Sequence, residues 1–329
     1  MMHKSGFNQF VGTGGIGTGI LFQLDSDRML GRNETRLASL SPTKDYCKQH
    51  IILHYIARVF SDQAKIFPIG RVGLDDAGNA LLHQMREAGM DTRFVEQIPG
   101  QPTMYCVCIQ YPDKAVCNVT TSESACAQVD CGVIDRALDQ LTLDAQTLIV
   151  AAPEVPVEAR AELLRRGKAA GAFCVSSCLV DEFDAFIALD GMKHSDLLVI
   201  NEDEAAACCG EATEDMRALA LACHRRIRRE NPNIKLAMTC GSQGSWVCEG
   251  DQIAHIPVLP AQVVATGGAG DAYTSGTICA LALGLPFIPE DGAKSAPMLG
   301  AIFAAKAIED ADTISMRIDR RTALAYLET

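Results

Sequence analysis

Aromatic side chains are scarce in this 329-residue chain, at 5% with a single Trp, and positive charge is in deficit. Against 41 Asp and Glu stand 29 Lys and Arg, a formal net charge of −12. Phosphate backbones demand clustered cations, so nucleic-acid binding is not expected. The one basic stretch, His224 to Arg229, follows a helical pattern that ends at Asn231-Pro232 and reads as a solvated helix end. No uncharged apolar run is long enough to span a bilayer. Near the start, no apolar core precedes a small-residue cleavage site, so neither a membrane span nor a secretory signal is expected. No CxxC pair occurs among the 14 cysteines, most of which sit in apolar segments. They read as reduced, buried thiols of a cytoplasmic protein, not as a disulfide framework.

What is present is a globular composition, 48% apolar and without low-complexity tracts. Short apolar strands alternate with amphipathic helices. Gln9–Gly12, Lys65–Ile69, Leu148–Ala151, Phe173–Ser176, Leu197–Ile200 and Leu236–Thr239 read as strands. Lys44–Phe60, Asp75–Ala88, Val157–Ala170, Phe183–Leu189 and Thr213–Arg229 read as helices, and a last helix runs from about Ala293 to Glu309. This alternation predicts right-handed crossovers, a mainly parallel sheet and a three-layer α/β/α sandwich. Thr103–Gln110 and Ala115–Thr121 flank a Tyr-Pro-Asp-Lys turn and predict an antiparallel hairpin outside that sheet. Residues 1–329 are expected to form one domain, with lid elements near 15–42 and 101–122.

The most informative segment is VVATGGAGDAYTSG. Val263–Val264 is expected to end a strand. Gly267, Gly268, Ala269 and Gly270 form a loop with almost no side chains, and Asp271 opens a helix of small residues. Exposed N–H groups at a helix N-terminus bind anions, and small residues let a phosphate approach the backbone. An Asp in the first turn is favoured by the helix dipole and is expected to be ionised. A carboxylate beside an anion hole can accept the proton of an attacking hydroxyl during phosphoryl transfer. An ordinary loop-to-helix junction is the alternative.

Two weaker motifs precede it. In LLVINEDEAAA, Asn201 and Glu204 follow a buried strand, where ligands of open α/β sheets gather. They read either as a magnesium-organising pair or as a plain helix N-cap. In LAMTCGSQG, a strand ends at Thr239 before Gly241 and Gly244, either a phosphate-binding loop or a turn needing glycine at positive φ.

In their shared order and spacing these motifs resemble the ribokinase-like, or PfkB-type, carbohydrate kinase family, strongly from about Leu197 to Asp312. TGGAGD is similar to the family's D-T-x-G-A-G-D, with Ala265 in place of the leading Asp that often belongs to a monovalent-cation site. The resemblance implies an ATP- and Mg2+-dependent phosphotransferase acting on a hydroxyl of a sugar, sugar derivative or nucleoside. It implies Asp271 as base and Gly268, Ala269 and Gly270 as the anion hole. Asn201, Thr239, Gly241, Gly244 and Thr266 would hold the nucleotide, Glu204 the metal, and a β lid would pair two copies. A catalytically weak nucleotide- or metabolite-binding relative is the alternative.

The family's G-G-x-x-x-N helix opening is missing: its place is taken by Lys44-Asp45-Tyr46-Cys47-Lys48. A glycine-rich GTGGIGTG, Gly12 to Gly19, occurs earlier. It satisfies GxGxxG, but the apolar run after it is too short for the helix of a dinucleotide site. It reads as a first strand whose glycines, Gly14 and Gly15 among them, leave room for a substrate. Asn33 and Arg36 in the polar LGRNETR that follows are expected to contact a polyol or an anionic group. His50 and His54, four apart on a helix, have metal-ligand spacing but no accompanying Glu, and read as a partly buried polar face.

Overall fold

The computed structural model describes residues 5–210, 213–290 and 294–328. From the N-terminus come β1 (Gln9–Thr13), β2 (Gly17–Gln23), β3 (Ser39–Tyr46), α1 (Lys48–Phe60) and β4 (Lys65–Gly73). Then follow α2 (Asp76–Glu87), β5 (Phe94–Ile98), the hairpin β6 (Met104–Gln110) and β7 (Val116–Thr120), and α3 (Cys131–Leu138). The regular half runs β8 (Thr147–Ala151), α4 (Val157–Ala169), β9 (Phe173–Ser176), α5 (Phe183–Ala188), β10 (Leu197–Asn201), α6 (Glu202–Cys209), α7 (Met216–Ile227) and β11 (Lys235–Thr239). It closes with β12 (Ser245–Glu249), β13 (Gln252–Ile256), α8 (Ala269–Ala282), α9 (Ala296–Ala307) and α10 (Arg320–Glu328).

The main sheet has nine strands in the order β13-β12-β11-β10-β9-β8-β1-β4-β5, parallel except for β12 and β13. The chain starts at β1, steps outward to β4 and β5, then returns past β1 to β8 and proceeds the other way. With right-handed crossovers, that reversal puts α1 and α2 on one face and α3 to α7 on the other. In accord, α3 contacts α4, α4 contacts α5, and α1 contacts α8 and α10. The reversal also makes the gap between the carboxyl ends of β1 and β8 a topological switch point, where such sheets bind ligands. Strands β1 and β8 are buried along their whole length, which explains their unbroken apolar reading.

The second sheet has four strands, β3-β2-β6-β7. Register assigns its two faces. Outward lie Leu40, Phe22, Ile109 and Cys117 in one row, with Ile20, Val107 and Val119 in another. Leu40 is 61% and Val119 69% exposed. On the inner face Asp45, Gly19, Cys106 and Thr120 form one row, and Leu21, Cys108 and Asn118 the next.

Two expected elements differ. The helix read from Lys44 begins at Lys48, because Asp45 and Tyr46 pair with Gly19 and Thr18, and Tyr46 N also donates to Thr313 Oγ1. Local periodicity loses there to strand pairing that sequence does not display. Val263–Val264 is not strand: Val264 N donates to Ile308 O in an irregular segment. Ala293, the expected start of the last helix, lies outside the described residues. All 14 cysteines are free, and no described helix is long and apolar enough to cross a membrane.

Candidate active site

A cleft of about 740 Å³, open to solvent on one side, lies between the inner face of the small sheet and the carboxyl edge of the large one. Its floor is the start of α8. Gly268 caps the helix at φ +76°, and a Cβ there would lie 2.6 Å from Thr313 O, so both backbone and space demand glycine. Asp271, one turn in, turns a carboxylate that is 14% exposed toward Lys48 Nζ at 3.7 Å. Burial pushes the Asp271 carboxyl up, with Lys48 opposing that shift and Asp45 adding to it. The helix-dipole argument therefore captures only part of its environment. The Lys48 ammonium is held charged chiefly by Asp271, against the cost of its own burial.

Lys48 is the first residue of α1, and its backbone N–H donates to Glu154 Oε2 at 3.0 Å. Glu154 follows β8 at the switch point with φ +76°, a left-handed conformation that costs a non-glycine residue of order 1 kcal/mol. Burial, reinforced by Asp271 and Asp45 and opposed by Lys48, pushes its carboxyl up to about 7. Its folded-state pKa lies above the unfolded value of 4.5, so its contribution to stability is full at low pH and is lost as pH rises through about 7. Glu154→Gln should equal the unaltered chain near pH 4 and exceed it by about 2 kcal/mol at pH 8. Urea melts at the two pH values check this; identical pH profiles would remove the buried charge from the account.

The sequence-predicted residues fall into three groups. Gly268 and Asp271 line the cleft, and Ala269 and Gly270 form the first helical positions between them. Thr266 Oγ1 donates to Lys114 O at 2.9 Å, tying the β6–β7 turn to the glycine loop. Asn201, Glu204, Thr239, Gly241 and Gly244 stand together at the carboxyl ends of β10 and β11, where Asn201 pairs with Thr239. Asn201 Oδ1 accepts from Glu204 N and Asn201 N donates to Glu204 Oε2, both at 2.8 Å, a complete capping box. Burial raises the Glu204 carboxyl, while Lys48 lowers it and Asp271 raises it, so it shares the field of the cleft. Gly241 and Gly244 adopt positive φ in a turn between β11 and β12.

The third group does not line the cleft. Space beside Gly15 is taken by Glu154: a Cβ at Gly15 would overlap Glu154 Oε2, and Gly14 packs against Ala152 and Gln49. These glycines admit protein side chains. Arg36 is spent on its own loop: it donates to Glu34 Oε1 at 2.7 Å and to Arg28 O at 2.7 Å, and Asn33 turns the chain at φ +59°. Arg36→Ala should leave ligand affinity of the cleft unchanged in binding titrations, and a large loss would show that this loop reaches the cleft. His50 and His54 are buried, with ring centroids 5.8 Å apart, rather than on a partly exposed face.

Sequence reasoning passed over Asp45, Lys48, Cys106, Cys108 and Glu154, all of which line the cleft. Lys48 and Asp45 were visible only as the replacement of a missing glycine pair.

The sequence profile of the pfkB family carbohydrate kinases matches residues 52–315. The fold is similar to that of ribokinase from Giardia lamblia, with TM-score 0.82 and 16% identity over 97% of this chain and 98% of that one. It is similar to Arabidopsis thaliana ribokinase complexed with ribose and ATP, with TM-score 0.73 and 19% identity over 98% and 99%. It is also similar to Burkholderia thailandensis nucleoside kinase in complex with inosine, with TM-score 0.75 and 15% identity over 97% of each chain. A comparison with curated proteins returns no match.

Proposed function

The chain belongs to the pfkB family of carbohydrate kinases, and from that premise we propose that it transfers the γ-phosphoryl group of ATP to a hydroxyl of a sugar, a sugar derivative or a nucleoside. The observation that carries this reading is the Asp271 carboxylate in the first turn of α8, facing a lidded cleft and a lysine 3.7 Å away. Asp271 accepts the proton of the attacking hydroxyl, and its burial raises its basicity toward that task. Backbone N–H groups of Gly268, Ala269 and Gly270 stabilise charge on the transferring group, aided by the α8 dipole. Lys48 adds a fixed positive charge on the same side. Glu154 orients acceptor hydroxyls.

Asn201, Thr239, Gly241, Gly244 and Thr266 hold the nucleotide, on the strand ends beside α8. The residues present fit Mg2+: Glu204 is a partly buried carboxylate whose pKa is raised by burial and by Asp271, an environment a cation relieves. Bound there through water, Mg2+ would neutralise phosphate charge. The apolar outer rows of the small sheet, with Leu40 and Val119 exposed, support pairing of two copies through the lid, and the main sheet with that lid reads as one functional domain.

The test is Mg2+- and ATP-dependent ADP release across sugars, sugar phosphates, sugar acids and nucleosides. A hit names the acceptor class. ATP binding with silence across the panel favours a binding protein without turnover.

A further inference from the structure

Buried carboxylates are normally paired with a cation, richly hydrogen-bonded, or bound to a metal. Asp45 is 7% exposed, and among the described residues no Lys, Arg or His forms an ion pair with it. Its Oδ2 accepts from two thiols, Cys106 Sγ at 2.6 Å and Cys108 Sγ at 3.1 Å. Thiols are weak donors, a poor exchange for the water a carboxylate gives up. The three groups are brought together by register. Asp45 on β3 and Cys106 on β6 both face Gly19 of β2, and Cys108 follows two residues along the same face. A Cβ at Gly19 would lie 2.5 Å from Cys106 Sγ and 2.8 Å from Asp45 Oδ2, so the missing side chain opens the space in which they meet.

We propose that Asp45, Cys106 and Cys108 form a zinc site on the inner face of the small sheet, with a fourth coordination position open to the cleft.

The donor set is the first argument. Two sulfurs and one carboxylate oxygen suit Zn2+ and disfavour Mg2+ and Ca2+, which take oxygen alone. Spacing is the second. With Zn–S of about 2.3 Å, tetrahedral geometry separates two sulfurs by about 3.8 Å, and the observed Sγ···Sγ distance is 3.9 Å. All three ligand atoms lie within 4.8 Å of one another. Admitting the metal requires the carboxylate to retreat from the sulfurs by less than about 1 Å, given Zn–O of about 2.0 Å. Openness is the third: all three residues line the cleft, so three protein ligands leave one position for water or a ligand, as at non-structural zinc sites. Binding exchanges two thiol protons, released to solvent, for one Zn2+ held by two thiolates and a carboxylate. Zinc binding here does not require phosphoryl transfer, although Asp45 shares the cleft and the field of Asp271.

Chelator-stripped full-length protein titrated with Co2+ should develop the near-ultraviolet sulfur-to-cobalt charge-transfer band at one equivalent, and Zn2+ should abolish it. The Cys106→Ser, Cys108→Ser double variant should lose the band and weaken binding by more than about 100-fold. A Cys117→Ser, Cys131→Ser control, which removes the two exposed thiols, should keep both. A wild-type chain with no band, or a folded double variant with the full band, overturns the proposal. Should the double variant fail to fold, anomalous diffraction at the zinc edge from wild-type crystals decides. A peak between the three side chains supports the site, and a peak elsewhere or none overturns it.

Discussion

The Asp271→Asn chain is expected to bind ATP as the unaltered chain does and to turn over at least about 100-fold more slowly, the usual contribution of a positioned base. Asn has the same shape and keeps a polar tip toward Lys48, so the glycine loop and the start of α8 have no reason to move. What is lost is the site that takes the hydroxyl proton. The loss therefore falls on kcat, and kcat/KM drops by a similar factor, the pattern of an interaction made only in the transition state. Neutralising Asp271 also removes the chief partner that holds the Lys48 ammonium charged, leaving Glu154 and Glu204 to face it, so loss of chemistry must be read beside the stability of the same variant. Steady-state kinetics with a thermal melt on the same preparation check both. Turnover within a few-fold of wild type would leave Asp271 as a first-turn residue favoured by the helix dipole and nothing more.

Acid should destabilise this protein through two side chains buried along α1. His50 is fully buried and His54 is 7% exposed, and all four ring nitrogens are without hydrogen-bond partners among the described residues. Burial pushes His50 down to about 3, with His54 adding to the shift, and pushes His54 down to about 4, with Arg58 adding to it. Unfolded, both titrate near 6.5. The unfolded chain thus takes up protons first as pH falls below 6.5, and stability drops toward about pH 4. Each unit of depression is worth about 1.4 kcal/mol, so the loss is several kcal/mol against a typical total of about 5–15. The His50→Leu, His54→Leu double variant should be more stable at pH 5 and show a much flatter decline, read as urea midpoints from pH 7 to 4.5. Parallel profiles for the two chains would mean that water or an unseen partner satisfies these rings.

The α8 wall of the cleft was legible because its structural demands are local. A left-handed residue against Thr313 O admits only Gly268, and a carboxylate in the first turn of α8 follows three residues later. Both constraints write themselves into consecutive positions. The opposite wall was not legible. Asp45, Cys106 and Cys108 meet only because β3, β2 and β6 adopt one register, and nothing near residue 45 announces residue 106. The glycines from Gly12 to Gly19 mark the same difficulty. The sequence reads them as room for a substrate, whereas the atoms beside them belong to Leu53, Glu154, Cys47 and the Asp45–Cys106 pair. Six of the nine strands of the main sheet were readable, since buried parallel strands appear as apolar runs, whereas the outer strands β5, β12 and β13 were not read. The start of α1 was not, because strand pairing overrides the helical period up to Tyr46.

The position of β1 has a consequence for how the chain is made. It is flanked by β4 on one side and β8 on the other, and β8 lies more than a hundred residues downstream. At about 5–20 residues per second, a ribosome needs on the order of ten seconds to deliver that second partner. Meanwhile β1, β4 and β5 can assemble, leaving Phe10 and Val11 on a bare edge of unpaired amides and carbonyls, the template on which nascent chains stick to one another. Slower growth at low temperature or an abundant chaperone should therefore raise the recovered yield more than any change to the purified protein's surroundings.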